Sequence, residues 1–399
     1  MLGLRRWISV ESGASLPNKS IGGMIKSREM GKRKKQHGDY AMIASNKNAA
    51  FTMAEKANLA NRFFPNRDEI ISVSHCTLLR CMHLKFDRLV SLSQDNILTF
   101  HMRKSPQHYE LLNRSDLPSA NCNVVDITRS SMGEHLAYTT LDANVYCFHI
   151  DRIRQAARWN LFHTLQPIAA LRWNVCSSLC FNMDDNYLLV VESGGRVSII
   201  STKESSRYSF QAHQRDITAI SCSKVNPNIF YTGSSDGFWK VWDSRSNSNR
   251  IPVLMTATRS SSNVANIDSD SQDKYVVTSS TCGSRIDAWD LRFFENQPFN
   301  IYRQEDEVTT HFGREIESND KSEFLWRARF SPQISGHRYV YANSSRGYIC
   351  IFDITAGKME KLHKQGSLLC DSTWHPDNFE IACGTLSGAI VAYYRGEEE

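Results

Sequence analysis

The chain has 399 residues, 41% of them hydrophobic and 22% charged, a composition ordinary for a protein that buries a large core. No apolar run approaches the roughly 18 residues that a membrane-spanning helix needs, so no membrane contact is expected. Residues 1–50 hold ten Lys or Arg against three Asp or Glu, so of the net +5 the remainder carries −2 and offers no basic surface for reading nucleic acid.

The first 48 residues are rich in Ser, Gly, Lys and Arg and lack periodic hydrophobicity, which reads as a disordered basic segment. Its KRKK run at 32–35 is either a nuclear-import signal or a solvated tail. The opening MLGLRRWISVESGAS also has a weak likeness to an organellar presequence. Residues 49–68 are expected to hold a short helix and a linker: AAFTMAEKANLANRF places Phe51, Leu59 and Phe63 on one face, and Pro65 ends the pattern.

From residue 69 the texture changes to short runs of Val, Ile, Tyr, Phe and Trp, broken by Asp, Asn, Gly and Ser turns. One strand recurs as NILTFHM, NVYCFHI, GRVSIIS, GFWKVWD, SRIDAWD, GYICIFD and GAIVAYY, at intervals of 48, 51, 42, 47, 63 and 41 residues. Each is preceded by a second strand such as RLVSLSQ or YVVTSST. A period near roughly 40 to 45 residues is that of a four-stranded propeller blade, so residues 69–395 are read as an all-β, seven-bladed β-propeller. The strand EIISVSH lacks a partner of its own and is expected to complete the last blade beside GAIVAYY, leaving 396–399 as an acidic tail.

The segment 293–323 is too long and too charged for a blade turn and is expected to be an inter-blade insertion. In LWRARF, Arg327 and Arg329 alternate with Ala328 and Phe330 on an inner strand, a position from which they could line the channel mouth and read cargo. Trp374-His375-Pro376-Asp377 reads as the turn after another inner strand.

Eleven cysteines lie scattered, with no C-x-x-C and an odd total; Cys176 and Cys180 are closest in sequence. Free buried thiols are the expectation, and no metal site. There is no P-loop, no Gly-rich dinucleotide turn, no metal-spaced His pair and no nucleophile elbow, so neither an enzyme nor a cofactor is expected.

The stretch from Ala212-His213 to Trp242-Asp243 resembles a repeat of the WD40 family. The resemblance implies that Asp236, at the Asp236-Gly237 turn, accepts a hydrogen bond from His213, which meets Thr232 and Trp242 in turn. These four are expected to be blade architecture rather than a catalytic triad. The other units are eroded: Trp-Asp returns at Trp289-Asp290, and Phe352-Asp353 stands in the sixth unit.

WDSR at 242–245 and WDLR at 289–292 resemble the Trp-Asp-x-Arg box of substrate receptors for cullin-4 ubiquitin ligases, and residues 61–395 together resemble the WD repeat protein 23 and LEC14B type. That resemblance implies a non-catalytic substrate-recognition subunit, nuclear and cytoplasmic, that presents protein substrates such as transcription factors for ubiquitination. Arg245 and Arg292, with Asp243 and Asp290, would grip the damaged-DNA-binding adaptor, helped by the helix near residues 54–59. The guanidinium fork suits this, because it pairs in two bonds at once. The alternative is a general WD40 scaffold in a chromatin or RNA-processing complex.

Overall fold

A computed structural model of the chain describes Lys56, Ala60 and residues 64–396, leaving out 106–107, 118–122, 142–143, 151–168, 171–175, 247–250, 258–262, 281–284, 293–299, 304–324, 355–358, 363–364 and the single positions 75, 86, 205 and 345. The basic segment with its KRKK run, the span 49–63 expected to be helical save Lys56 and Ala60, and residues 397–399 therefore lie outside the described residues. The chain divides into two compact units, Met1–Lys56 and Ala57–Glu399, and every described strand belongs to the second.

Twenty-eight described strands form seven four-stranded antiparallel sheets. The chain enters through β1 (Arg67–Val73), which belongs to the seventh blade. Blade 1 is β2 (Leu78–Leu84), β3 (Arg88–Ser93), β4 (Ile97–Ser105) and β5 (His108–Asp116). Blade 2 is β6 (Val124–Arg129), β7 (His135–Thr140), β8 (Asn144–His149) and β9 (Ala169–Ala170). Blade 3 is β10 (Cys176–Phe181), β11 (Tyr187–Glu192), β12 (Arg196–Ser201) and β13 (Arg207–Gln211). Blade 4 is β14 (Ile217–Cys222), β15 (Ile229–Ser234), β16 (Phe238–Asp243) and β17 (Leu254–Ala257). Blade 5 is β18 (Val264–Ser269), β19 (Tyr275–Ser280), β20 (Arg285–Asp290) and β21 (Asn300–Arg303). Blade 6 is β22 (Leu325–Phe330), β23 (Tyr339–Ser344), β24 (Ile349–Asp353) and β25 (Met359–Lys361). Blade 7 is β26 (Leu369–Trp374), β27 (Ile381–Thr385) and β28 (Ala389–Tyr394), completed by β1.

The segment 293–323 is thus not all insertion. Residues 300–303 within it form β21, the outer strand of blade 5, paired with β20 from Arg285↔Arg303 to Ala288↔Asn300.

The recurring sequence strand is the third of each blade, and the run before it is the second. Second strands are sandwiched between neighbouring blades, which explains their unbroken apolar texture: β3 and β23 are buried at every position. One inter-blade core joins Val90, Leu92, Leu98 and Phe100 of blade 1 to Ile127, Leu136, Tyr138 and Phe148 of blade 2. At about 25 cal/mol per Å2 of apolar surface removed from water, burial of this kind is the main force holding blades together.

β1 closes the ring by pairing with β28 from Arg67↔Tyr394 to Val73↔Ala389. Its exit repeats a turn used inside the ring: Ser74 N–H donates to the Gly388 carbonyl at 2.8 Å, just as Ala212 N–H donates to Gly195 in blade 3. Both glycines have left-handed backbone, φ +88° and +76°, and a Cβ on Gly388 would sit 2.4 Å from the Ser74 carbonyl oxygen.

The seven inner strands are also tied by polar bonds around the channel, with at least one at each inter-blade contact. Arg80 Nε donates to Asp126 Oδ1 at 2.6 Å, and Ser178 Oγ to Asp126 Oδ2 at 2.9 Å. Ser177 Oγ donates to the Ile217 carbonyl at 3.0 Å, Thr218 Oγ1 to that of Val264, and Asn266 Nδ2 to that of Ala328 at 2.7 Å. Arg327 and Arg329 reach Asp371 at 3.2 and 3.0 Å, and Cys81 N–H donates to Asp371 Oδ2 at 3.1 Å, completing the circle.

Blade 4 carries a further network. Trp242 Nε1 donates to Thr232 Oγ1 at 2.8 Å, and Thr232 Oγ1 lies 2.8 Å from His213 Nε2. His213 Nδ1 lies 2.9 Å from Asp236 Oδ2. Because the ionised Asp236 carboxylate can only accept, the proton of the neutral ring is assigned to Nδ1, which leaves Nε2 to accept from the threonine hydroxyl while that hydroxyl accepts from the indole. Burial holds the His213 pKa down to about 4 against the pull of Asp236, so the ring is neutral at pH 7. Asp236 Oδ1 also accepts the Phe238 N–H at 3.0 Å, fixing the turn. Blade 5 keeps half of this chain, Trp289 Nε1 donating to Thr278 Oγ1 at 3.0 Å.

Three outcomes follow from this architecture. Gly388→Ala destabilises the protein by more than about 1 kcal/mol in urea titration, since the substitution forces a left-handed alanine against the Ser74 carbonyl; an unchanged midpoint would contradict the closure. Asp236→Ala leaves the buried His213 donor unpaired and lowers stability by about 1–3 kcal/mol, which the same titration reads. His213 and His101 both have pKa values lowered by burial from 6.5 to about 4, so the unfolded chain takes up their protons first as pH falls. Their contribution to stability is whole above 6.5 and drains away down to about 4, so urea midpoints measured across that window decline with pH.

Candidate functional site

In every blade the second strand starts, and the third ends, on one face of the ring, called the lower face below; the Asp236-Gly237 turn lies on the upper face. β16 ends with Asp243 opposite Ile229, and β20 with Asp290 opposite Tyr275. Arg245 and Arg292 follow two residues later in neighbouring blades, so the register brings both to the lower face.

Their local geometry is nearly the same. Asp243 Oδ1 accepts the Arg245 N–H at 2.9 Å and Nε at 3.0 Å, while Oδ2 accepts Nη2 at 2.7 Å. In blade 5 the corresponding distances from Arg292 to Asp290 are 2.9, 3.0 and 2.6 Å. Arg292 also donates from Nη2 to the Tyr275 hydroxyl at 2.6 Å and lies over that ring, 4.9 Å from its centroid. The aspartate side chains are 20% and 16% exposed, the arginine side chains 64% and 44%. Each aspartate therefore acts as a bracket that presents an arginine to solvent. The hydrogen bonds from Arg245 hold the Asp243 pKa below the usual carboxylate range, so the bracket stays charged at neutral pH.

A third aspartate-held guanidinium occupies the next blade, and sequence reading missed it. Asp353 ends β24 opposite Tyr339, the same register as Asp243 and Asp290. Its partner is Arg338, immediately before β23, with Nε 2.9 Å from Oδ1 and Nη2 2.7 Å from Oδ2. The guanidinium lies 5.9 Å from the Tyr339 ring centroid, echoing Arg292 over Tyr275. At 16% exposed it is more recessed than the other two. Beside it, Phe64 packs edge-on to Tyr339 at 4.9 Å and against Trp374 at 6.4 Å, so the chain entering β1 lies along this same face. The available signal was an Arg-Tyr pair opening a second strand opposite a terminal Asp.

Arg327 and Arg329 sit midway along and toward the end of β22, but not in simple alternation. A register shift between Trp326 and Arg329, with Arg327 at φ +53°, turns both toward blade 7. Both reach Asp371, which is 1% exposed, and each also bonds a carbonyl: Arg327 Nη1 that of Leu79 at 3.0 Å, Arg329 Nη1 that of Ser372 at 2.7 Å. Burial alone would raise the Asp371 pKa, but Arg329, Arg327 and Arg80 hold it below the ordinary value. Trp374 ends β26 and the residues after it form the turn into β27. Among the described residues no group of three or more His, Cys, Asp or Glu could hold a metal ion, and no helix is long and apolar enough to cross a membrane.

No protein-family model matches the chain. It is 23% identical over 380 residues to a DDB1- and CUL4-associated factor 11 homolog of Caenorhabditis elegans and 24% identical over 388 residues to that of Caenorhabditis briggsae, each match covering 86% of this chain. The chain spans 65% and 67% of the length of these two proteins. It is also 26% identical to the LEC14B protein of Lithospermum erythrorhizon, over 56% of this chain and 51% of that one. The chain is a seven-bladed β-propeller, similar in sequence to the factor 11 homologs and to LEC14B.

Proposed function

We propose that this chain is the non-catalytic substrate-recognition subunit of a cullin-4 ubiquitin ligase, holding the damaged-DNA-binding adaptor on the lower face of blades 4 to 6. The observation that carries this reading is the pair Arg245 and Arg292, each bracketed by its own aspartate and exposed in neighbouring blades. The names of the two nematode relatives, which couple them to DDB1 and CUL4, support it. A bracketed guanidinium has its direction fixed before any partner arrives, so binding loses little side-chain entropy. Its outward edge keeps donors suited to backbone carbonyls or carboxylates of the adaptor. Arg338 extends the row to a third blade.

The channel, where Arg327 and Arg329 keep 28% and 26% exposure, is the surface left for a protein substrate. Ubiquitin transfer belongs to the assembled ligase, and this chain supplies neither nucleophile nor cofactor to it.

Replacing Arg245 and Arg292 together by Ala weakens adaptor binding tenfold or more, at about 1.4 kcal/mol per tenfold, with the melting temperature unchanged because both side chains are exposed. Titration calorimetry against purified adaptor reads the first effect and calorimetric scanning the second. Replacement by Lys keeps the charge, loses the fork and also binds more weakly. If wild-type protein captures no adaptor, or the double Ala variant captures it equally well, the chain is a scaffold of another kind.

A further inference from the structure

Cys180, the fifth residue of β10, and Cys222, the last of β14, face one another across the contact between blades 3 and 4, with their Sγ atoms 2.9 Å apart. The two are 42 residues apart in sequence, one repeat, while Cys176, the nearer neighbour along the chain, is fully buried in a different cluster. Closing the gap to the roughly 2.05 Å of a disulfide needs a movement of about 1 Å. Access separates this pair from the others. Cys81 and Cys383 are near enough to influence each other but are both 0% exposed. Cys180 is partly exposed, and Cys222 lines a small open cleft with Asn182, Tyr187, Leu189 and Ser244, the residue before Arg245.

We propose that Cys180 and Cys222 form an oxidation site at which a peroxide converts two free thiols into a disulfide joining blade 3 to blade 4. Cys180, the more exposed, meets the peroxide first: its sulfur bonds one oxygen, the O–O bond breaks, and one water departs, leaving a sulfenic acid. The Cys222 sulfur then attacks that sulfur, the S–S bond forms, the S–O bond breaks, and a second water departs. Two thiols have lost two protons and two electrons, and one hydrogen peroxide has become two waters. Burial, and then the hydrogen bond with Cys180, push the Cys222 thiol up, so the second step quickens as pH rises. The product fastens two blades at their lower ends, beside the strand end that carries Arg245.

The test uses the full chain, purified under reducing conditions, exposed to hydrogen peroxide or to dithiothreitol and blocked with N-ethylmaleimide. Non-reducing peptide mapping is expected to find DITAISCSK joined to the peptide containing Cys180 in the peroxide sample alone, with tandem spectra placing the bond at Cys180 rather than Cys176. The melting temperature of the oxidised protein rises by several degrees and returns with dithiothreitol. In Cys222→Ser the link disappears and a dimedone adduct accumulates on Cys180. Recovery of both cysteines as maleimide adducts after peroxide, or a bond from either to another cysteine, overturns the proposal. Should Cys222→Ser fail to fold, the wild-type map alone decides.

Discussion

The structure depends on closing a circle of seven sheets, and closure is enforced twice. Apolar burial between blades supplies most of the free energy but is indifferent to rotation of one blade against the next. The polar bonds around the channel are directional and supply the missing constraint. Asp371 is the densest point of that circle: its carboxylate faces Arg327, Arg329 and Arg80 and accepts the Cys81 N–H, thereby joining blades 6, 7 and 1. A carboxylate this buried would be strongly unfavourable alone. With three guanidiniums around it, the charged form wins. The same three arginines would repel one another without it, so each side of the pairing requires the other.

The ring matters to function because it converts a one-dimensional repeat into a surface. Arg245 and Arg292 are 47 residues apart, yet equivalent register puts them on adjacent blades with the same local geometry. The hydrogen-bonded chain from Trp242 through Thr232 and His213 to Asp236 runs the height of blade 4, anchoring the third strand at its end and at the turn before it. The position of Arg245 is therefore inherited from the blade and not from its own exposed side chain.

Much of this was legible along the chain. The seven third strands and their predecessors were visible because both sit in the core, where β-branched and aromatic residues are needed, and the closing partnership of β1 followed from counting strands. Outer strands were not visible: β9 is two residues long and β25 three, too short and too solvated to impose a pattern. β21 was hidden inside a stretch whose charge suggested a loop. Arg338 escaped because the motif expects the guanidinium two residues after the aspartate, whereas blade 6 delivers it from the neighbouring strand. The bulge at Arg327 and the approach of Cys180 to Cys222 depend on how one blade is offset from the next, which no single-strand periodicity encodes.

Arg338 shows why geometry is the better guide than motif. What blades 4 to 6 share is an aspartate at the end of the third strand whose two oxygens hold one edge of a guanidinium; the origin of that guanidinium is free to change. In blades 5 and 6 a tyrosine at the start of the second strand adds an aromatic surface for the cation. Blade 4 has Ile229 in that register, and its arginine is the most exposed of the three at 64%. Exposure therefore declines from blade 4 through blade 5 to blade 6, where the side chain is 16% exposed. A partner lying along this face meets its most accessible cation at blade 4. Toward blade 6 it meets a more recessed charge beside the aromatic ground of Tyr339, Phe64 and Trp374, so the two ends of one row favour different contacts.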